Sequence, residues 1–148
     1  MDMNFYSVLY NDNKLFNHKN ELEKNISEPL LTVRTLVIIA TINNEMEELN
    51  LLGNMLKACK LDTHEYHVVR ENTSSWLYYR QLSNIKEVIL LGDIQQSLDL
   101  DIQLMENFPI KFDNRVFIKS GSLAELAFNK NLKTELWSKA LQPHFIQS

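Results

Sequence analysis

Two short stretches of this chain are apolar at almost every position. One is Leu36-Val37-Ile38-Ile39-Ala40, inside the segment Leu31–Ile42; the other is Val88-Ile89-Leu90-Leu91, stopped by Gly92-Asp93. A strand with one face in water alternates apolar and polar residues, whereas an unbroken apolar run marks a strand covered on both faces, as in a parallel sheet. Helix-start signals stand between and after these runs. Asn44-x-x-Glu47 and Ser122-x-x-Glu125 have the spacing of a capping box, in which the first side chain accepts from the first turn and the acid reaches back. Met46, Leu49, Leu52, Leu56 and Cys59 follow at helical spacing, which predicts an amphipathic helix over 45–60. A further strand is expected over 64–70, with Tyr66 and Val68 on one face and Val69 on the other. Helices are expected over 74–82, 94–98 and 123–141, a short extended piece over 109–112, and a strand over 114–119. The order β-α-β-α-β-α-β-β-α predicts an α/β protein: a three-layer α/β/α domain with a central, mainly parallel sheet of about four strands.

The length of 148 residues suits one domain with a sizeable core, and 45% hydrophobic with 23% charged residues is ordinary for a globular chain. Residues 1–28 read differently. They are rich in Asn, Lys and Glu, with Phe5, Tyr6, Leu9, Tyr10, Leu15 and Phe16 as apolar islands. This is expected to be an N-terminal arm with a short amphipathic patch and a linker, the alternative being a short helix packed on the domain; the single α/β domain would then run over 29–148. A net charge of −4 argues against strong direct nucleic-acid binding, which needs clustered cations to displace counterions. Cys59 is the only cysteine, so no intramolecular disulfide forms and a reducing, cytoplasmic setting is expected. Met1-Asp2-Met3-Asn4 has neither the basic start nor the apolar core of a signal peptide, and no apolar run approaches a membrane span.

Few residues carry an obvious chemistry. His64 and His67 have odd spacing in a strand and point to opposite faces, and Cys59 lies on the apolar helix stripe; no metal site is expected from them. Gly92-Asp93 ends a strand without the further glycines or Gly-Lys-Ser/Thr of a phosphate loop, so it reads as a tight turn with glycine at positive φ. Ser120 and Ser122 stand where a strand gives way to a helix, a usual place for a site, but no Gly-x-Ser-x-Gly elbow surrounds them, and capping is the default for Ser122. Trp76, Tyr78 and Tyr79 have only Arg70 and Arg80 close by, offset by Glu71 and Asp62, and read as packing rather than a base-stacking platform. No cofactor is implied.

Several segments in order resemble the uracil-DNA glycosylase fold. Leu51-Leu52-Gly53-Asn54-Met55-Leu56-Lys57-Ala58-Cys59-Lys60-Leu61 is similar to the helix that follows its first active-site loop. Val88-Ile89-Leu90-Leu91-Gly92 is similar to a later strand and turn, 110–118 to the edge before the His-Pro turn, and Leu132-Lys133-x-x-x-Trp137 to the end of the last helix. The likeness covers about 35–141. The departures fall on chemistry. The Gly-Glu-Ala-Pro-Gly-like loop is replaced by Ala40-Thr41-Ile42-Asn43-Asn44, Ser122-Leu123 stands where His-Pro would be, and a lone cysteine rules out the four-cysteine iron–sulfur cluster of many relatives. The resemblance therefore implies a retained scaffold whose vestigial pocket would comprise Thr41, Asn43, Asn44, Ser120 and Ser122, with no catalytic residue.

The psi subunits of bacterial DNA polymerase III use such a scaffold without catalysis. This chain is similar to them in layout: a polar arm with an aromatic patch, then a compact α/β domain. That likeness implies a protein-interaction role, with the arm (Phe5, Tyr6, Leu9, Tyr10, Leu15 and Phe16) docking on the clamp loader and the domain on a chi-like subunit; a homo-oligomer stays open. The alternative is a divergent enzyme of the glycosylase superfamily with a rebuilt pocket around the same five residues.

Overall fold

The computed structural model describes residues 28–40, 42–70, 75–95, 98–100 and 102–146. The chain divides into two units, Met1–Leu31 and Thr32–Ser148. Of the first, the described part is one 3-10 turn, Glu28–Leu31. The second holds a five-stranded sheet in the order β2-β1-β3-β5-β4. The strands are β1 (Thr35–Ile39), β2 (Tyr66–Arg70), β3 (Glu87–Leu91), β4 (Ile110–Phe112) and β5 (Arg115–Ser120). The helices are α1 (Glu45–Ala58), α2 (Trp76–Arg80), α3 (Leu123–Phe128) and α4 (Lys130–Leu136), continued by a π-wound segment, Trp137–Ile146. The protein is thus α/β with a mostly parallel sheet. Among the described residues no helix is long and apolar enough to cross a membrane.

β1, β2, β3 and β5 are mutually parallel, while β4 runs antiparallel along β5 and adds a fifth strand to the four expected. The two apolar runs become the inner strands β1 and β3, buried at all five positions each. Residues opposite one another share a face, so Val37, Ile39, Ile89, Leu91 and Ile118 form one apolar layer. Leu52 and Leu56 of α1, Leu123 and Leu126 of α3, Leu136 of α4 and Leu141 beyond it pack with that layer in a single cluster. On the opposite face, Trp76 of α2 meets Phe117 edge-on, ring centroids 5.1 Å apart. Trp76 and Tyr79 are buried, as packing residues should be.

Three expectations are corrected. The helix expected over 94–98 is not formed at its described residues: Gln95, Leu98 and Asp99 take turn conformations, Leu98 N–H reaches Ile94 O at 3.3 Å, and Asp99 has a positive φ of 56°. The last helix is not continuous. Asn129 has an extended backbone, φ −115° and ψ 98°, and its Oδ1 accepts from Leu132 N–H at 3.0 Å, so a second helix starts there. Asparagine caps better than it continues a helix, which explains the break. On α1, Met46 is 85% exposed and Glu48 is 3% exposed, the reverse of what polarity alone predicts.

Candidate functional site

In a parallel sheet, ligands collect outside the carboxyl ends of the strands where the chain order reverses. Here β1 leads to β2 on one side and has β3 on the other, so that point lies beyond Ile39 and Leu91. Ala40 N–H donates to Leu91 O at 3.0 Å, and Gly92 N–H donates to Ser120 O at 3.0 Å, which carries the ladder to the rim. Gly92 has a φ of +120°, and a Cβ placed on it would stand 2.6 Å from the Ala40 Cβ. Glycine is therefore needed twice over, for its backbone angle and for the close approach of the two strand exits.

Four of the five sequence-predicted pocket residues are described; they border this rim, and each is engaged through its backbone or its side chain. Asn44 caps α1, its Oδ1 accepting from Glu47 N–H at 3.3 Å. The expected return bond from Glu47 is made instead by Glu48, whose Oε2 accepts from Asn44 N–H at 2.8 Å and from Asn43 N–H at 3.3 Å. A buried carboxylate thus holds the turn at the positive end of the helix dipole. Its other oxygen, Oε1, has no partner among the described residues. The Ser120 hydroxyl is buried and donates to Asn107 Oδ1 at 2.7 Å. Ser122 completes a capping box: its Oγ accepts from Glu125 N–H at 3.2 Å, and Glu125 Oε1 accepts from Ser122 N–H at 2.9 Å. Thr41 lies outside the described residues, as do all six arm residues, Phe5, Tyr6, Leu9, Tyr10, Leu15 and Phe16.

Among the described residues no histidine is hydrogen-bonded to either serine. His144 is bonded to Glu87 at the amino end of β3, and His67 lies within β2, where burial lowers its pKa. Cys59 caps the end of α1 with its backbone N–H, and burial, then the field of Glu87, pushes its thiol up to about 12, so that it stays protonated near neutral pH. Among the described residues no three His, Cys, Asp or Glu side chains gather as a metal would require.

The opposite rim, at the amino ends of the strands, holds what the sequence reading missed. Glu87 is 3% exposed. Its carboxylate accepts from Arg34 Nε at 3.0 Å, Arg34 Nη2 at 2.6 Å and Thr35 Oγ1 at 2.7 Å, and pairs with His144 Nε2 at 3.1 Å. Burial alone would raise its pKa; the hydrogen bonds of His144, Arg34 and Thr35 and the charge of Arg34 outweigh that and hold it at about 2. Arg115 is buried too. It donates to the carbonyls of Ile85, Arg80 and Leu82 at 2.8–3.0 Å and lies over the Trp76 ring, 5.2 Å from its centroid. Asp113 joins Arg115 to Arg80 with ion pairs of 3.3 and 3.0 Å. Beside these groups is a cavity of about 580 Å³ lined by Lys86, Glu87, Lys111, Phe112, Asn114 and His144 among others. The one available signal was a charged residue opening each buried strand: Arg34 before β1, Glu87 at β3, Arg115 at β5.

Compared with protein-family models and with curated proteins, the chain finds no match.

Proposed function

We propose that this chain is a non-catalytic protein-interaction subunit, built on a three-layer scaffold similar to the uracil-DNA glycosylases, and that it serves the DNA polymerase III clamp loader in the cytoplasm as psi subunits do. The observation that carries this reading is the state of the carboxyl rim. Where a glycosylase keeps its catalytic loop and His-Pro turn, Asn44 and Ser122 are spent on helix caps, the Ser120 hydroxyl on Asn107, and the Asn43 and Asn44 amides on Glu48. Ala40 packs tightly against Gly92 where the two strands exit. These are structural uses of groups that a working enzyme leaves facing its substrate.

One observation favours the alternative of a divergent enzyme. Glu48 is buried at this same rim with Oε1 unpartnered among the described residues, a disposition that suits a general base.

Mixing the pure protein with the reconstituted clamp loader of its own cell separates the readings. Co-elution on size exclusion, with no free uracil from a uracil-containing duplex, is expected. Failure to co-elute removes the clamp-loader assignment. Uracil release that disappears in Glu48→Gln replaces the scaffold reading with the enzymatic one.

A further inference from the structure

α1 and the stretch made of α4 and the π-wound segment cover the same face of the sheet and share one apolar cluster. Between them is a groove of about 320 Å³. Leu51, Met55 and Ala58 form one wall, at i, i+4 and i+7 along α1. Lys133, Trp137 and Leu141 stand in the other, each about one turn beyond the last. Leu51, Met55 and Trp137 are only partly buried, so the strip meets solvent. Its lining is apolar except for Asn54 and Lys133. Contiguous apolar surface with a polar border is characteristic of docking sites. The π winding begins at Trp137, within the second wall; such winding is rare in proteins and is frequent at functional sites.

The charge around this groove is unbalanced. Lys133 is half-buried, and Lys130 stands one turn earlier on the same face of α4. Among the described residues neither enters an ion pair. The acids nearest in sequence are engaged elsewhere: Glu135 with Lys139 at 3.1 Å, and Glu125 in the capping box of α3. In a chain of net charge −4, a half-buried ammonium beside apolar surface has thus been left without a counter-charge.

We propose that this groove docks an amphipathic helix of a partner protein. The apolar stripe of that helix would lie between the two walls, with an acidic residue at the edge of the stripe against Lys133. Both walls repeat once per helical turn, the spacing into which side chains at i, i+3, i+4 and i+7 of a third helix fit. An extended strand fits less well, because its same-face residues recur every 6.6 Å or so, against about 5.4 Å for a helical turn. Two lysines are too few for a phosphate backbone, which needs a run of cations. That the occupant is a protein rests on the interaction-module reading; the location and the charge preference rest on the groove itself.

The test is a titration of the full-length, nitrogen-15-labelled protein, followed by amide chemical shifts. The probe is an amphipathic peptide of about 18 residues with leucine at i, i+3, i+4 and i+7 and glutamate beside that stripe. Shifts confined to 51–58 and 130–141 are expected, with binding about tenfold tighter than for the same peptide carrying lysine in place of glutamate. Lys133→Glu should reverse that preference, and Lys133→Gln, should the first variant fold poorly, should abolish it. Ala58→Gln fills the groove from an exposed helical position without adding charge, and should weaken both peptides. No shifts, shifts elsewhere, an unchanged preference in a folded Lys133 variant, or undiminished binding in Ala58→Gln would overturn the proposal. A dimer in the free protein that Ala58→Gln dissociates would assign the groove to a second copy, and laurate displacing the peptide at lower concentration would assign it to a small amphiphile; either result also overturns it. Clamp-loader co-elution is scored separately. Co-elution without peptide shifts sinks only the groove, and peptide shifts without co-elution sink only the clamp-loader assignment.

Discussion

Glu87 is an acid placed where the sheet is otherwise apolar, and its partners come from three separate places: Arg34 and Thr35 at the start of β1, and His144 near the end of the chain. Its carboxyl sits at about 2 when folded against an ordinary 4.5, so the charged form is favoured by folding. A depressed carboxyl contributes stability above its unfolded value and loses it as the pH falls toward the folded one. Urea midpoints should thus hold from neutrality to about pH 5 and then fall towards pH 2, by about 3 kcal/mol in all from this group. Glu87→Gln should be less stable near neutrality and show a flatter acid limb; an unchanged limb would mean that other carboxylates govern acid unfolding. Arg115 works by a different means. Its guanidinium satisfies three backbone carbonyls around the turn before β3, and lysine lacks the planar fork to do so. Arg115→Ala is expected to cost about 3 kcal/mol by chemical denaturation, with Arg115→Lys recovering little of it.

At the scale of elements, legibility followed burial. β1 and β3 could be read from composition because a strand covered on both faces must be apolar throughout. The antiparallel β4 could not, because three residues at a half-exposed edge leave no periodic signature, so Pro109–Phe112 reads only as extended. The missed helix break had a local cause: Asn129 sits between two good helical segments, and nothing in its neighbours shows that its side chain will turn back to Leu132. Trp137 begins the wider-wound segment and lines an apolar groove with Leu51 and Met55 of α1 and Leu141. Being only partly buried, it should cost about 2 kcal/mol as Trp137→Ala, below the full value for a core aromatic; a change near zero in thermal unfolding would show that the groove contributes nothing to the fold. The strand exits supply a sharper test. Gly92→Ala is expected to lose about 3 kcal/mol, from a Cβ against Ala40 and from a φ that L-residues avoid. Ala40→Gly in the same chain should recover the contact part alone. Full recovery would mean that the backbone angle relaxes freely.

For the molecule as a whole, the two rims of the sheet divide the labour differently from the sequence reading. The residues singled out there, Asn43, Asn44, Ser120 and Ser122, do come to the carboxyl rim, because strand-to-helix junctions are visible as capping patterns. What the pattern could not show is that their hydrogen bonds are already used. The amino rim was illegible for a topological reason. Its residues are brought together by a row across the sheet, Thr35, Glu87, Val116 and Lys111 in register, from positions far apart in the chain. If the arm is the clamp-loader contact of the proposed function, it acts apart from both rims. Deleting residues 1–28 is then expected to reduce clamp-loader co-elution to background while leaving the melting temperature nearly unchanged. A strongly destabilised truncated protein would show instead that the arm belongs to the fold.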